Sequence, residues 1–406
     1  MPGGVKEALA AAIFVATYAV VAVGRVPGLR IDRAGAAFLG AALMVASGVL
    51  SLDEAYRAID FDTIALLLGM MIVVANLRLA GFFDVVTAWV VGRARRPLPL
   101  LAAVVATAGV LSAFLVNDTI CLVLTPLVLR IVLHLRRNPV PYLIAIALSS
   151  NIGGAATLTG NPQNMIIGSL SGIPYGRFAG ALAPVAALGL VLTVALVAVV
   201  WRGEFLAGAR LAADPPAVRF NRRLLRKTLL VALALVAAFF AGVRPAEAAV
   251  VAGGLLLASR RVKVARMYAE IDWTLLLMFA GLFVVVAGLE HAVLTPERVR
   301  ALAVLHLERT GVLGVATAVL SNIVSNVPAV LVLRPFVASM ADPQRAWLVV
   351  AMAATLAGNF SILGSVANLI VVQRARAQGV VIGFWTYFMV GAPLTVLTIA
   401  AGLAWL

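Results

Sequence analysis

Of 406 residues, 63% are hydrophobic and 12% charged, with a mean hydropathy of +1.07; a soluble domain carries about 25% charged residues, so this chain is not one. The net charge of +15 would suit nucleic acid, but in so apolar a chain excess Lys and Arg marks cytoplasmic loops beside an anionic leaflet, and no nucleic-acid partner is expected. The single Cys121 excludes an internal disulfide, and the cysteine and the three histidines lack zinc spacing.

Apolar runs of about 17–25 residues recur along the chain, the length that crosses a bilayer. In chain order they predict spans near 8–24, 34–50, 62–80, 141–172, 178–201, 228–243, 246–259, 272–290, 346–373 and 384–406. The N-terminus lacks the basic region and cleavage site of a signal peptide, so the first span is expected to remain. Two further apolar segments, near 98–134 and 311–341, are interrupted midway by Asn117-Asp118-Thr119 and Ser325-Asn326-Val327, each followed by proline, Pro126 and Pro335. A backbone break at that depth leaves amides and carbonyls to be satisfied by protein or a water-filled cavity.

Placing 25–33, 78–96, 130–137, 202–227, 260–266 and 374–376 in the cytoplasm puts 23 of the 32 Lys and Arg there, which sets both termini outside. Segment 98–134 is then flanked by arginines at both ends, and 37 residues are too few for two spans of about 20 plus a turn. It is expected to be a re-entrant hairpin from the cytoplasm, with 311–341 its counterpart from outside.

Similar features recur at offsets of 204 to 210: Phe61-Asp62 and Ile271-Asp272, Gly160-x-x-x-Asn164 and Gly364-x-x-x-Asn368, Ala183-Pro184 and Ala392-Pro393. The expected fold is an all-α polytopic membrane protein of two inverted repeats, each with about five transmembrane helices, a re-entrant hairpin and a broken helix. The first repeat spans 1–201, a basic cytoplasmic linker with Pro215-Pro216 spans 202–227, and the second repeat spans 228–406. Inverted repeats with paired breaks are the pattern of secondary transporters.

The broken helices read Ser149-Ser150-Asn151-Ile152-Gly153-Gly154 with Thr157-Leu158-Thr159-Gly160-Asn161-Pro162-Gln163-Asn164, and Gly358-Asn359-Phe360-Ser361 with Gly364-Ser365-Val366-Ala367-Asn368. Gly and Pro interrupt the helical ladder while hydroxyl and amide side chains replace lost partners, giving a hard-oxygen environment for Na⁺ or a polar solute. Asp118 is the sharpest candidate, because an ionised carboxylate near the bilayer centre costs several kcal/mol and needs a reason to be there. It is assigned proton coupling; the plainer alternative is a helix N-cap. Candidate substrate and ion ligands are Asn117, Asp118, Thr119, Asn151, Thr157, Gly160, Asn161, Asn164, Ser325, Asn326, Ser361, Gly364 and Asn368. Asn117, Asp118 and Gly160 form one candidate Na⁺ site and Ser325, Asn326 and Gly364 another. Asp62 and Asp272 read as helix caps, Glu290 as interfacial, and Arg130 and Arg334 as snorkelling.

"LVNDTICLVLTPLVL" (115–129), "SNIGGAATLTGNPQNMIIG" (150–168), "SNVPAVLVL" (325–333) and "GSVANLIV" (364–371) resemble the ion-transporter superfamily of arsenite-efflux permeases, divalent-anion/sodium symporters and citrate permeases. The likeness is closest to arsenite-permease-like bacterial proteins and extends from about residue 34 to the end. It implies a bacterial inner-membrane transporter in which the hairpin-bearing part moves against a scaffold, often in a homodimer. In the sodium symporters a Ser-Asn-Thr at both tips binds substrate and Na⁺; here the first tip adds a carboxylate and the second lacks the last hydroxyl.

These readings combine into a secondary transporter of a small anion or oxyacid, coupled to H⁺ or Na⁺ and without other cofactor. A sodium:dicarboxylate symporter, a Na⁺/H⁺ antiporter and a passive channel are the alternatives. An enzyme is not expected, since no nucleophile–base pair, metal cluster or paired carboxylates share the midplane. There is no P-loop, so ATP would require a separate ATPase subunit.

Overall fold

The computed structural model describes residues 3–23, 31–93, 96–205, 220–258, 264–294 and 306–406. The centre of the basic linker, 206–219 with Pro215-Pro216, lies outside the described residues. Regular structure among them is helical throughout, and seven helices are long and apolar enough to cross a membrane. The protein is a polytopic membrane protein.

The predicted interruptions fall where the sequence places them. The first hairpin is Pro97–Phe114 and Asn117–His134, the second Thr310–Val324 and Asn326–Ala338. The first broken helix is Pro139–Ala155 and Pro162–Ser171, the second Pro343–Ala357 and Val366–Arg376. Each arm of the first hairpin has 18 residues, about 27 Å at 1.5 Å per residue, and both are long and apolar enough to cross a membrane, so the expectation that this segment is too short for two spans does not hold on length. The turn uses only Leu115 and Val116, so the polar tripeptide opens the second arm instead of forming the loop.

Phe82–Arg93, which follows a left-handed Gly81 (φ 81°), is a helix within a stretch read from its charges as a loop. One capping assignment is corrected: the Asp60 carboxylate, not that of Asp62, accepts from the Thr63 amide at 3.0 Å. Asp62 lies inside the first turn and pairs with Arg244 at 2.6 Å. Asp272 does cap its helix, accepting from the Leu275 amide at 2.9 Å.

Among the described residues a hairpin, a broken helix and a long helix follow one another twice, in 97–200 and in 310–405, and the scaffold helices preceding them pack crosswise. Phe61–Ala80 from the first half packs on Pro245–Leu257 from the second, and Trp273–Ala292 packs on Arg33–Ala46. A Cβ added to Gly69 would lie 2.5 Å from the Ala249 carbonyl oxygen, and one added to Gly281 would lie 2.7 Å from that of Ala37. The two contacts are counterparts at an offset of 212 residues, Gly69 to Gly281 and Ala37 to Ala249, and small residues let two apolar helices approach this closely. The hairpins, the broken helices, Tyr175–Val200 and Phe384–Trp405 pack mainly on one another.

Candidate functional site

Four chain breaks define the site. At the first hairpin the Asn117 amide leaves the helical ladder and donates to the Gly160 carbonyl at 3.0 Å, joining the tip to the first broken helix. At the second, Ser325 adopts φ 80° and ψ 161°, a region close to glycine-only that costs of order 1–3 kcal/mol for other residues. Pro162–Ser171 restarts with Pro162 in its first turn and Asn161 as cap, the Asn161 carboxamide oxygen accepting from the Asn164 amide at 2.9 Å. Val366–Arg376 restarts with the Ser365 hydroxyl accepting from the Ala367 amide at 3.2 Å.

The first residues of all four restarted helices meet at one cavity of about 60 Å³, lined by Asn117, Asp118, Gln163, Asn326 and Ser365 among others, with Ser325 between the arms of the second hairpin. Helix N-termini present partial positive charge and free amides, so their convergence favours an anion or a polar oxygen-rich solute. A carboxylate, Asp118, and a guanidinium, Arg33 of the scaffold, face the same space. Among the described residues the Asp118 carboxylate accepts no hydrogen bond, so the capping alternative is not what the fold uses.

Behind the cavity, a buried amide network crosses between the halves. Asn151 Nδ2 donates to Asn359 Oδ1 at 2.9 Å and to Asn368 Oδ1 at 3.0 Å. Asn151 Oδ1 accepts from Asn117 Nδ2 at 2.9 Å and from the Ser365 hydroxyl at 3.1 Å. Asn164 Nδ2 holds the carbonyls of Gly154 and Thr157 at 3.1 and 2.9 Å. Asn368 Nδ2 holds those of Gly358 and Ser361 at 2.7 and 3.0 Å. Each is the carbonyl ten or seven residues back, so the same amide stitches the same break twice. Gly160 and Gly364 sit against the Gly154 and Gly358 carbonyls, where a Cβ would collide.

The predicted residues thus divide. Asn117, Asp118, Ser325 and Asn326 line the cavity. Asn151, Asn161, Asn164 and Asn368 are buried in the bracing behind it. Thr157 donates to the Ala113 carbonyl and ties the first hairpin to its broken helix. Gly160 and Gly364 permit close approach, Ser361 offers its carbonyl, and Thr119 closes a turn onto the Val116 carbonyl at 3.0 Å. Sequence reasoning missed Gln163, Asn359 and Ser365, all neighbours of residues it selected within the same polar runs. It also missed Arg33, which no spacing signals because it counts among the basic loop residues.

The two tips differ. In the second, the Ser321 hydroxyl donates to Asn326 Oδ1 at 2.6 Å. The equivalent pair 209 residues earlier is Ser112 and Asn117, and there Ser112 Oγ and Asn117 Oδ1 are both buried without a partner.

Comparison with known proteins matches residues 18–357 to the family model described as citrate transporter. A 46 kDa membrane protein of Mycobacterium leprae is 34% identical over 97% of this chain and 96% of its own length. A silicon efflux transporter of Oryza sativa subsp. japonica is 29% identical, covering 93% of each chain. The crystal structure of the YdaH transporter of Alcanivorax borkumensis shares the fold at a TM-score of 0.56 and 15% identity, over 98% of this chain and 96% of that one.

Proposed function

The chain belongs to the citrate transporter family of membrane transporters, and on that premise we propose that it is a secondary active transporter of a small anion or oxyacid, with Asp118 as the coupling residue for H⁺ or Na⁺. The observation that carries this reading is the single cavity at which four helix N-termini, the Asp118 carboxylate and the Arg33 guanidinium meet. At about 60 Å³ it has room for a few waters. That size favours a compact oxyacid, arsenite-like or silicic-acid-like, over a tricarboxylate, and the relative named for silicon efflux agrees with it. A coupling cation at the first tip would meet Asp118 and the free Asn117 oxygen, both hard ligands.

In this reading the two hairpins enter from opposite faces of a bacterial inner membrane, both termini lie outside, and the hairpin-bearing bundle moves against the exchanged scaffold helices. Flux of arsenite, silicic acid and citrate into proteoliposomes, with imposed pH or Na⁺ gradients, tests it. Saturable uptake of one of them that follows a gradient supports the reading. Unitary currents in planar bilayers, without saturation, would replace it with a channel.

A further inference from the structure

An open groove of about 740 Å³ lies far along the chain from the tips, where Phe61–Ala80 ends, Phe82–Arg93 begins and Arg222–Phe240 begins. The Asn221 amide donates to the Ala80 carbonyl at 3.1 Å and closes its floor. Arg78, Arg222 and Arg223 line it against one acid, Asp84. Arg78 is already paired with Glu270, whereas Arg222 and Arg223 are exposed and form no ion pair among the described residues. With Arg226 and Lys227 they place four cations in the first two turns of a helix that has no acid there, against the direction its dipole prefers. An anion in the groove would relieve that repulsion.

Placement identifies the kind of anion. The groove opens at the end of Phe61–Ala80, one of the seven helices long and apolar enough to cross a membrane, and the exposed Phe220 on its wall suits the headgroup level. We propose that this groove binds the phosphate of an anionic phospholipid, with Arg222 and Arg223 as its principal ligands. Basic side chains at this level are drawn to anionic lipids, and two flexible cations can close on one phosphate. The lipid then holds the start of the second half against the end of a first-half scaffold helix.

The test is thermal unfolding of the full chain in nanodiscs of phosphatidylcholine, with and without phosphatidylglycerol. Phosphatidylglycerol is expected to raise the unfolding temperature, and added NaCl to erode the gain. R222Q/R223Q is expected to lose at least half of that gain. R222K/R223K and the remote pair R374Q/R376Q are expected to keep it. An undiminished gain in R222Q/R223Q, no gain in the wild type, or an equal gain from inorganic phosphate in phosphatidylcholine discs would each overturn the proposal.

Discussion

Asn151 and Asn368 lie 217 residues apart in sequence, and their carboxamides are joined by a 3.0 Å hydrogen bond in the buried interior. Asn151 also reaches Asn359, Asn117 and Ser365, so one side chain connects a hairpin tip with both broken helices. Leaving a buried polar group unpaired costs about 1–3 kcal/mol, and several partners depend on this one. Asn151→Ala is expected to destabilise the protein by about 3 kcal/mol or more, read from unfolding in detergent. A change below about 1 kcal/mol would mean that the network rearranges without it.

The serines below the two tips should respond differently. Ser321→Ala strips Asn326 Oδ1 of its donor and is expected to cost about 1–3 kcal/mol. Ser112→Ala removes a buried hydroxyl that has no partner and should be neutral or stabilising. Parallel unfolding curves distinguish them; equal losses would refute the asymmetry.

Ser325→Gly should relieve the backbone at φ 80° and ψ 161° and stabilise the fold by about 1 kcal/mol. If the hydroxyl contacts the transported solute, flux falls while stability rises. A variant less stable than the wild type would contradict the strain.

Much of this was readable in the sequence because its cause is local. Polar residues inside long apolar runs cannot be hidden in a bilayer, so both hairpins and both broken helices announced themselves at Asn117, Ser325, Asn161 and Gly364. The exchange of scaffold helices was not readable, since the approach of Gly69 to Ala249 joins apolar runs that carry no polar marker. Asp62 reads as a cap from its place at the start of an apolar run, but the helix begins one residue earlier and Asp60 caps it, which only backbone geometry shows. The cavity's own roster was only partly legible: polarity selected the neighbourhood, but it could not separate Asn117, which faces the cavity, from Asn164, which braces carbonyls behind it.

The scaffold exchange makes a paired prediction. Gly69→Ala and Gly281→Ala each drive a methyl into the facing helix backbone and are expected to cost about 1–3 kcal/mol, by similar amounts. Gly180→Ala, with open space around it, should cost nothing measurable.

In the proposed function Asp118 couples a cation gradient to solute movement. The direct measurement is uptake of the best substrate among arsenite, silicic acid and citrate by everted vesicles, with and without imposed pH and Na⁺ gradients, in the wild type and in Asp118→Asn. Gradient-driven accumulation is expected in the wild type and only downhill equilibration in the variant, at matched folded protein. Equal gradient-driven accumulation in both would contradict it and move the coupling elsewhere in the cavity.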